Sequence, residues 1–212
     1  MTLVDEKKAI FRAYGFNADG PYDIGYYQPY HNALPPEDPK VPDRSAVSYW
    51  KHLQATGQGD IWVFNVHCLL NSDGADTHPL LQETIAFMCG ARAIRPTIIH
   101  KGHIDDTDWF GAFVPCWPKS EHPQGVLRKD LIDGFKSFRK VYSLGVAGDF
   151  CVYYGQLQVM DHFEGTDHFS KFEIVTDAIS HIVPDAPHVI KLYERARQGG
   201  IKLITHDAAF AV

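Results

Sequence analysis

From residue 47 onward, short apolar runs alternate with longer stretches of helical periodicity, and no other feature restricts the fold as much. The runs are DIWVFNVH (60–67), PTIIH (96–100), VYSLGVAG (141–148), FEIVTDA (172–178) and IKLITHDA (201–208). Such short apolar, β-branched runs fit strands covered on both faces. Between them, AVSYWKHLQATG reads as a helix ending at Gly57, and HPLLQETIAFMCGARA places Leu81, Ile85 and Met88 at helical spacing. DLIDGFKSFRK is a third helix, and CVYYGQLQVMDHF a fourth that opens at Cys151. DAPHVIKLYERARQGG has an Asp cap, a proline in its first turn and glycines at its end. Strands alternating with helices predict an α/β three-layer sandwich, a mainly parallel sheet with helices on both faces.

The first 46 residues are of another kind. Prolines at 21, 29, 35, 36, 39 and 42 leave little room for a helix or a central strand. This stretch reads as a Tyr/Pro-rich arm or a diverged amino-terminal part (1–46) preceding an α/β domain (47–212).

The formal net charge of −6, with no basic stripe to offset it, argues against nucleic acid or an anionic membrane as partner. No apolar run reaches the roughly 18 residues that a membrane span needs. The amino terminus turns charged too early for a secretory signal. Cys68, Cys89, Cys116 and Cys151 are scattered without a CxxC pair, which predicts free thiols and a cytoplasmic setting.

In a parallel α/β sheet, ligands bind at the carboxyl ends of the strands. The predicted ends carry His67-Cys68, His100-Lys101-Gly102, Gly148 to Cys151, and Asp177. Cys151 follows a glycine-bearing turn and starts a helix, where unpaired N–H groups and the helix dipole favour an anion. The same amides can stabilise an oxyanion formed when a thiolate attacks a carbonyl. At this level Cys151 is either a small core residue or an activated thiol. Lys101 is either a solvated lysine or an ammonium held in a cleft. His67 reads as a half-buried histidine or a metal ligand, with His31 the one upstream histidine able to join it.

At these residues the sequence resembles the cysteine hydrolases of the isochorismatase/nicotinamidase superfamily. GVAGDFCV resembles the family's nucleophile turn, and HKGHIDDTDWFGAF its lysine loop. FNVHCLLNSDG and EIVTDAISHI resemble two further segments, in the family's order. The resemblance implies Cys151 as nucleophile and Lys101 as the cation that positions the reacting groups. It implies an oxyanion hole from the amides of Ala147 and Cys151, with a cis peptide between Val146 and Ala147. Phe64 and Phe110 fall where the family sets aromatics around a planar substrate. His67 matches a ligand of a divalent metal, such as zinc, in the nicotinamidase branch. A small-molecule amide as substrate and a homo-oligomeric state belong to the same expectation.

The family's Asp-x-Gln-x-Asp-Phe motif is not recognisable in the first third, which is either strongly diverged or lacks that strand, and Asp5, in TLVD, is left as the candidate acid. Pro29 stands where the metal-binding aspartate belongs, and Asn65 and Val66 replace the two prolines before His67. The residues therefore support two readings. One is a hydrolase acting on an amide C–N bond through a Cys151 thioester. The other is a catalytically impaired pseudoenzyme kept for ligand binding or oligomerisation. A redox role for Cys151 lacks a resolving cysteine close in sequence.

Overall fold

A computed structural model of the chain describes residues 46–58, 73, 75–104, 107–183 and 185–210. The expected strand at 60–67, with Phe64 and His67, lies outside these residues, as do Asp5 and His31. The chain divides into two compact units, Met1–Ile99 and His100–Val212.

In the first unit, α1 (Ala46–Ala55) buries Tyr49 and Leu53, one turn apart on a single face. It ends as its sequence predicts, at Gly57, which adopts φ 71°. Helix α2 (Pro79–Arg92) starts with proline in its first turn, where a missing N–H leaves no bond unmade. Ala93 closes it in the left-handed conformation, returning an N–H to Cys89. No residue of α2 is buried, and Leu80, Leu81 and Phe87 are exposed. The strand expected at PTIIH does not form: residues 94–100 carry no strand among the described residues. A run becomes a strand only when a neighbour takes its backbone groups, and Ile98 stands 73% exposed.

The second unit carries the sheet. Its strands are β1 (Val141–Val146), β2 (Phe172–Ser180) and β3 (Lys202–Ile204), parallel and in the order β1-β2-β3. Before them lies α3 (Lys129–Asp133), continued by a tight 3-10 turn over Gly134–Ser137. The helix expected at 130–140 is thus shorter than its pattern, ending before Phe138, which is extended. Helix α4 (Cys151–Phe163) crosses from β1 to β2, and α5 (Pro187–Gln198) crosses from β2 to β3. Asp185 does not cap α5. It takes φ 57°, and Ala186 occupies the cap position. The last strand is shorter than expected, because the chain turns into α6 (His206–Phe210). These elements form an α/β unit with a parallel sheet of three of the five expected strands.

Burial explains the packing. Met160 and Phe163 on α4, Leu192 and Ala196 on α5, and Ile174 and Val175 on β2 are almost fully enclosed. An aromatic series then ties the loops to the sheet. Phe113 meets Phe135 at 5.8 Å, Phe135 meets Phe172 at 5.7 Å, and Phe172 meets Phe163 at 5.2 Å between ring centres. Gln156 Nε2 donates to Ser143 Oγ at 2.9 Å, fixing α4 on β1.

Candidate active site

The turn after β1 places Cys151 at the first position of α4, as the sequence predicts. The Val146–Ala147 peptide is cis. The carbonyl of Ala147 then accepts two N–H groups, from Phe150 at 3.1 Å and Val152 at 3.0 Å, which curls the chain tightly around it. The N–H groups of Ala147 and Cys151 have no partner among the described residues. The half-buried Cys151 therefore ends a turn in which two backbone N–H groups are unpartnered among the described residues. No side chain among the described residues hydrogen-bonds to its Sγ.

The turn is locked from the far side. Asp149 is 1% exposed, and its two oxygens accept the N–H groups of Ile182 and Val183 at 3.0 and 2.8 Å. Gly148 donates to the carbonyl of Ser180 at 2.7 Å. A Cβ on Gly148 would lie 2.5 Å from His181 Cε1 and from Ile179 Cγ2, so only glycine fits there. His188 Nε2 donates to the carbonyl of Asp149 at 2.9 Å and meets the ring of Tyr153 edge-on. In the sequence Asp149 is only one letter of a motif, and His181 and His188 carry no marker of a role. The only signal was the glycine, since a close approach demands a neighbour.

The lysine loop docks on the same helix. Lys101 Nζ donates to the carbonyl of Phe110. The ring of Phe110 lies 5.7 Å from Phe150 and 5.2 Å from Tyr154, flanking the first turn of α4. Gln158, two turns along α4, takes the N–H of Phe113 at 2.9 Å and donates to the carbonyl of Val114 at 2.8 Å. Gly111 makes room for that side chain, because a Cβ there would approach Gln158 to 2.3 Å. Burial pushes the Tyr154 phenol well above its ordinary range, so it stays protonated. The structure thus brings Lys101 and Phe110 to the helix that begins with Cys151.

Asp177 does not join them. It lies inside β2, before the strand's end, next to a bulge in the pairing between Ser143 and Gly145. Its carboxylate accepts the backbone N–H of His206 at 2.8 Å and the ring Nδ1 at 2.6 Å. The residue that follows β2 is His181. Among the described residues no three His, Cys, Asp or Glu side chains group as a metal site.

No family model matches the sequence, and no curated protein matches it significantly. Among solved structures, the yeast nicotinamidase Pnc1p aligns at 23% identity over 69% of this chain and 59% of its own, with TM-score 0.46. A nicotinamidase/pyrazinamidase of Acinetobacter baumanii aligns at 20% over 72% of this chain and 62% of its own, with TM-score 0.46. The pyrazinamidase of Pyrococcus horikoshii, solved in complex with zinc, aligns at 19% over 82% and 89%, with TM-score 0.41. The alignments span less than two thirds of the yeast and Acinetobacter enzymes.

Proposed function

We propose that the chain is a thiol hydrolase that cleaves the C–N bond of a small amide, with Cys151 as nucleophile. The observation that carries this reading is the turn ending at the half-buried Cys151, in which the N–H groups of Ala147 and Cys151 are unpartnered among the described residues. In the reaction, the Cys151 sulfur bonds to the amide carbon and the carbonyl oxygen becomes an oxyanion. The two N–H groups stabilise that charge, and one such donor is worth roughly a hundred- to a thousand-fold in rate. Collapse of the intermediate breaks the C–N bond. The amine leaves with the proton given up by the thiol, and water then releases the acid from the thioester. Asp5 is the proposed carrier of that proton, following the resemblance. Lys101, bonded to the Phe110 carbonyl, is the proposed cation that positions the reacting groups, and it holds the loop against α4. Phe110 and Phe64 are proposed to line the substrate, and His67 with His31 to hold a divalent metal if one is bound.

One observation favours the pseudoenzyme reading instead: the family's Asp-x-Gln-x-Asp-Phe motif is not recognisable in the sequence. Ammonia release from nicotinamide, pyrazinamide and simple aliphatic amides tests the choice. The hydrolase reading expects release that Cys151→Ala abolishes. Release unchanged in Cys151→Ala contradicts it, and no release from any of these amides favours the pseudoenzyme.

A further inference from the structure

Arg128 is a cation held partly out of water with no ion pair among the described residues. Burial lowers its pKa, and the carboxylate of Asp130 acts against that only at a distance. Its Nη1 donates to the carbonyl of His100 at 2.7 Å, and its guanidinium carbon lies 4.2 Å from the ring centre of Trp109. Nε and Nη2 are buried without a hydrogen-bond partner, and so is Nε1 of Trp109, whose side chain is 6% exposed.

Three buried donors on two stacked side chains, with no acceptor among the described residues, depart from the rule that enclosed polar groups are paired. Nε and Nη2 form the side-on fork of a guanidinium, whose spacing matches the two oxygens of a carboxylate. A single water accepts about two hydrogen bonds, whereas a carboxylate offers about four lone-pair sites. The position is specific as well. His100 precedes Lys101, and Trp109 precedes Phe110, whose carbonyl holds the Lys101 ammonium. The fork and the ammonium therefore flank one junction between residues 100–101 and 109–110. In a chain of net charge −6, such paired cations are what an anionic ligand needs at close range.

We propose that Arg128 and Trp109 form a carboxylate-binding subsite beside Lys101. Resting on the hydrolase reading, this makes the substrate an amide that also carries an anionic carboxylate. The fork takes the carboxylate side-on, and the indole N–H donates to one of its oxygens.

Acetate is the probe, and acetamide its neutral control. In the full ¹⁵N-labelled chain, the indole N–H signal of Trp109 is identified among four tryptophans by its loss in Trp109→Phe. The proposal expects acetate to shift that signal saturably and acetamide to leave it in place. Arg128→Lys keeps the charge but lacks the fork, and is expected to weaken acetate binding ten-fold or more. Should that variant fail to fold, calorimetric titration of Trp109→Phe is expected to show several-fold weaker acetate binding. An unmoved signal, an equal response to acetamide, or wild-type affinity in the variant overturns the subsite. The readout needs no turnover. Absence of Cys151-dependent amide hydrolysis therefore leaves the subsite standing, and absence of acetate binding leaves the hydrolase reading standing.

Discussion

Asp149 Oδ2 accepts the backbone N–H of Val183 at 2.8 Å, which fixes the turn before Cys151 to the chain leaving β2. Its other oxygen takes Ile182, so one buried carboxylate satisfies two amides. Asp149→Ala strands both N–H groups, and each unmet buried donor costs about 1–3 kcal/mol. We expect a loss of about 2–4 kcal/mol in urea unfolding, with hydrolysis falling further than stability alone accounts for. Asp149→Asn is expected to be nearly as damaging, since its NH₂ faces a second donor.

Gly148 and His181 make a second test of the same lock. Adding a methyl at Gly148 drives it to 2.5 Å from His181 Cε1, too close for either to remain. Gly148→Ala is expected to cost about 1–3 kcal/mol, the usual range for overpacking. His181→Ala in the same chain removes one of the two obstacles and is expected to restore part of that loss. A double variant no more stable than Gly148→Ala contradicts the contact.

Gln158 holds the lysine loop to α4 through Phe113 and Val114. Gln158→Leu keeps the bulk and removes both bonds. It is expected to cost roughly 2 kcal/mol in unfolding and to slow hydrolysis by releasing the Lys101–Phe110 loop. Unchanged hydrolysis in Gln158→Leu shows that the loop needs no such anchor.

Asp177 and His206 give a pH dependence with a definite sign. The hydrogen bond from His206 holds the Asp177 carboxyl below its usual range, while Asp177, and Asp207 beside it, raise the His206 pKa above the usual 6.5. The histidine's contribution is therefore complete below pH 6.5 and is lost as pH rises through its elevated folded value. The carboxylate's contribution is present above its unfolded value and is lost as pH falls through the lowered folded one. The His206 ring signals in NMR are expected to titrate above 6.5 and to return toward it in Asp177→Asn. Because both groups are exposed, salt should shrink the effect.

The strand-to-helix turn at Cys151, the bounds of α2 and α4 and the end of α5 were legible in residue order, and the cis Val146–Ala147 peptide followed from the family resemblance. They depend on local signals: a glycine, a proline, an apolar period, or a motif contiguous in sequence. What the sequence hid depends on distant partners. The clasp of Asp149 on Ile182 and Val183 joins residues more than 30 apart. The withdrawal of Asp177 toward His206 needed a bulge in β2 that no local pattern announces. PTIIH reads as a strand by composition alone, but a strand also needs a neighbour. Arg128 gave no signal beyond one charge after the apolar pair Val126-Leu127.

The central claim is that the turn activates Cys151 as a nucleophile. Its most direct test is the rate of alkylation by iodoacetamide at neutral pH, read cysteine by cysteine by mass spectrometry. The account predicts that Cys151 reacts at least about ten-fold faster than Cys68, Cys89 and Cys116, as befits a thiol at a helix start, and that Asp149→Ala erases the difference. Equal, slow labelling of all four thiols would contradict it.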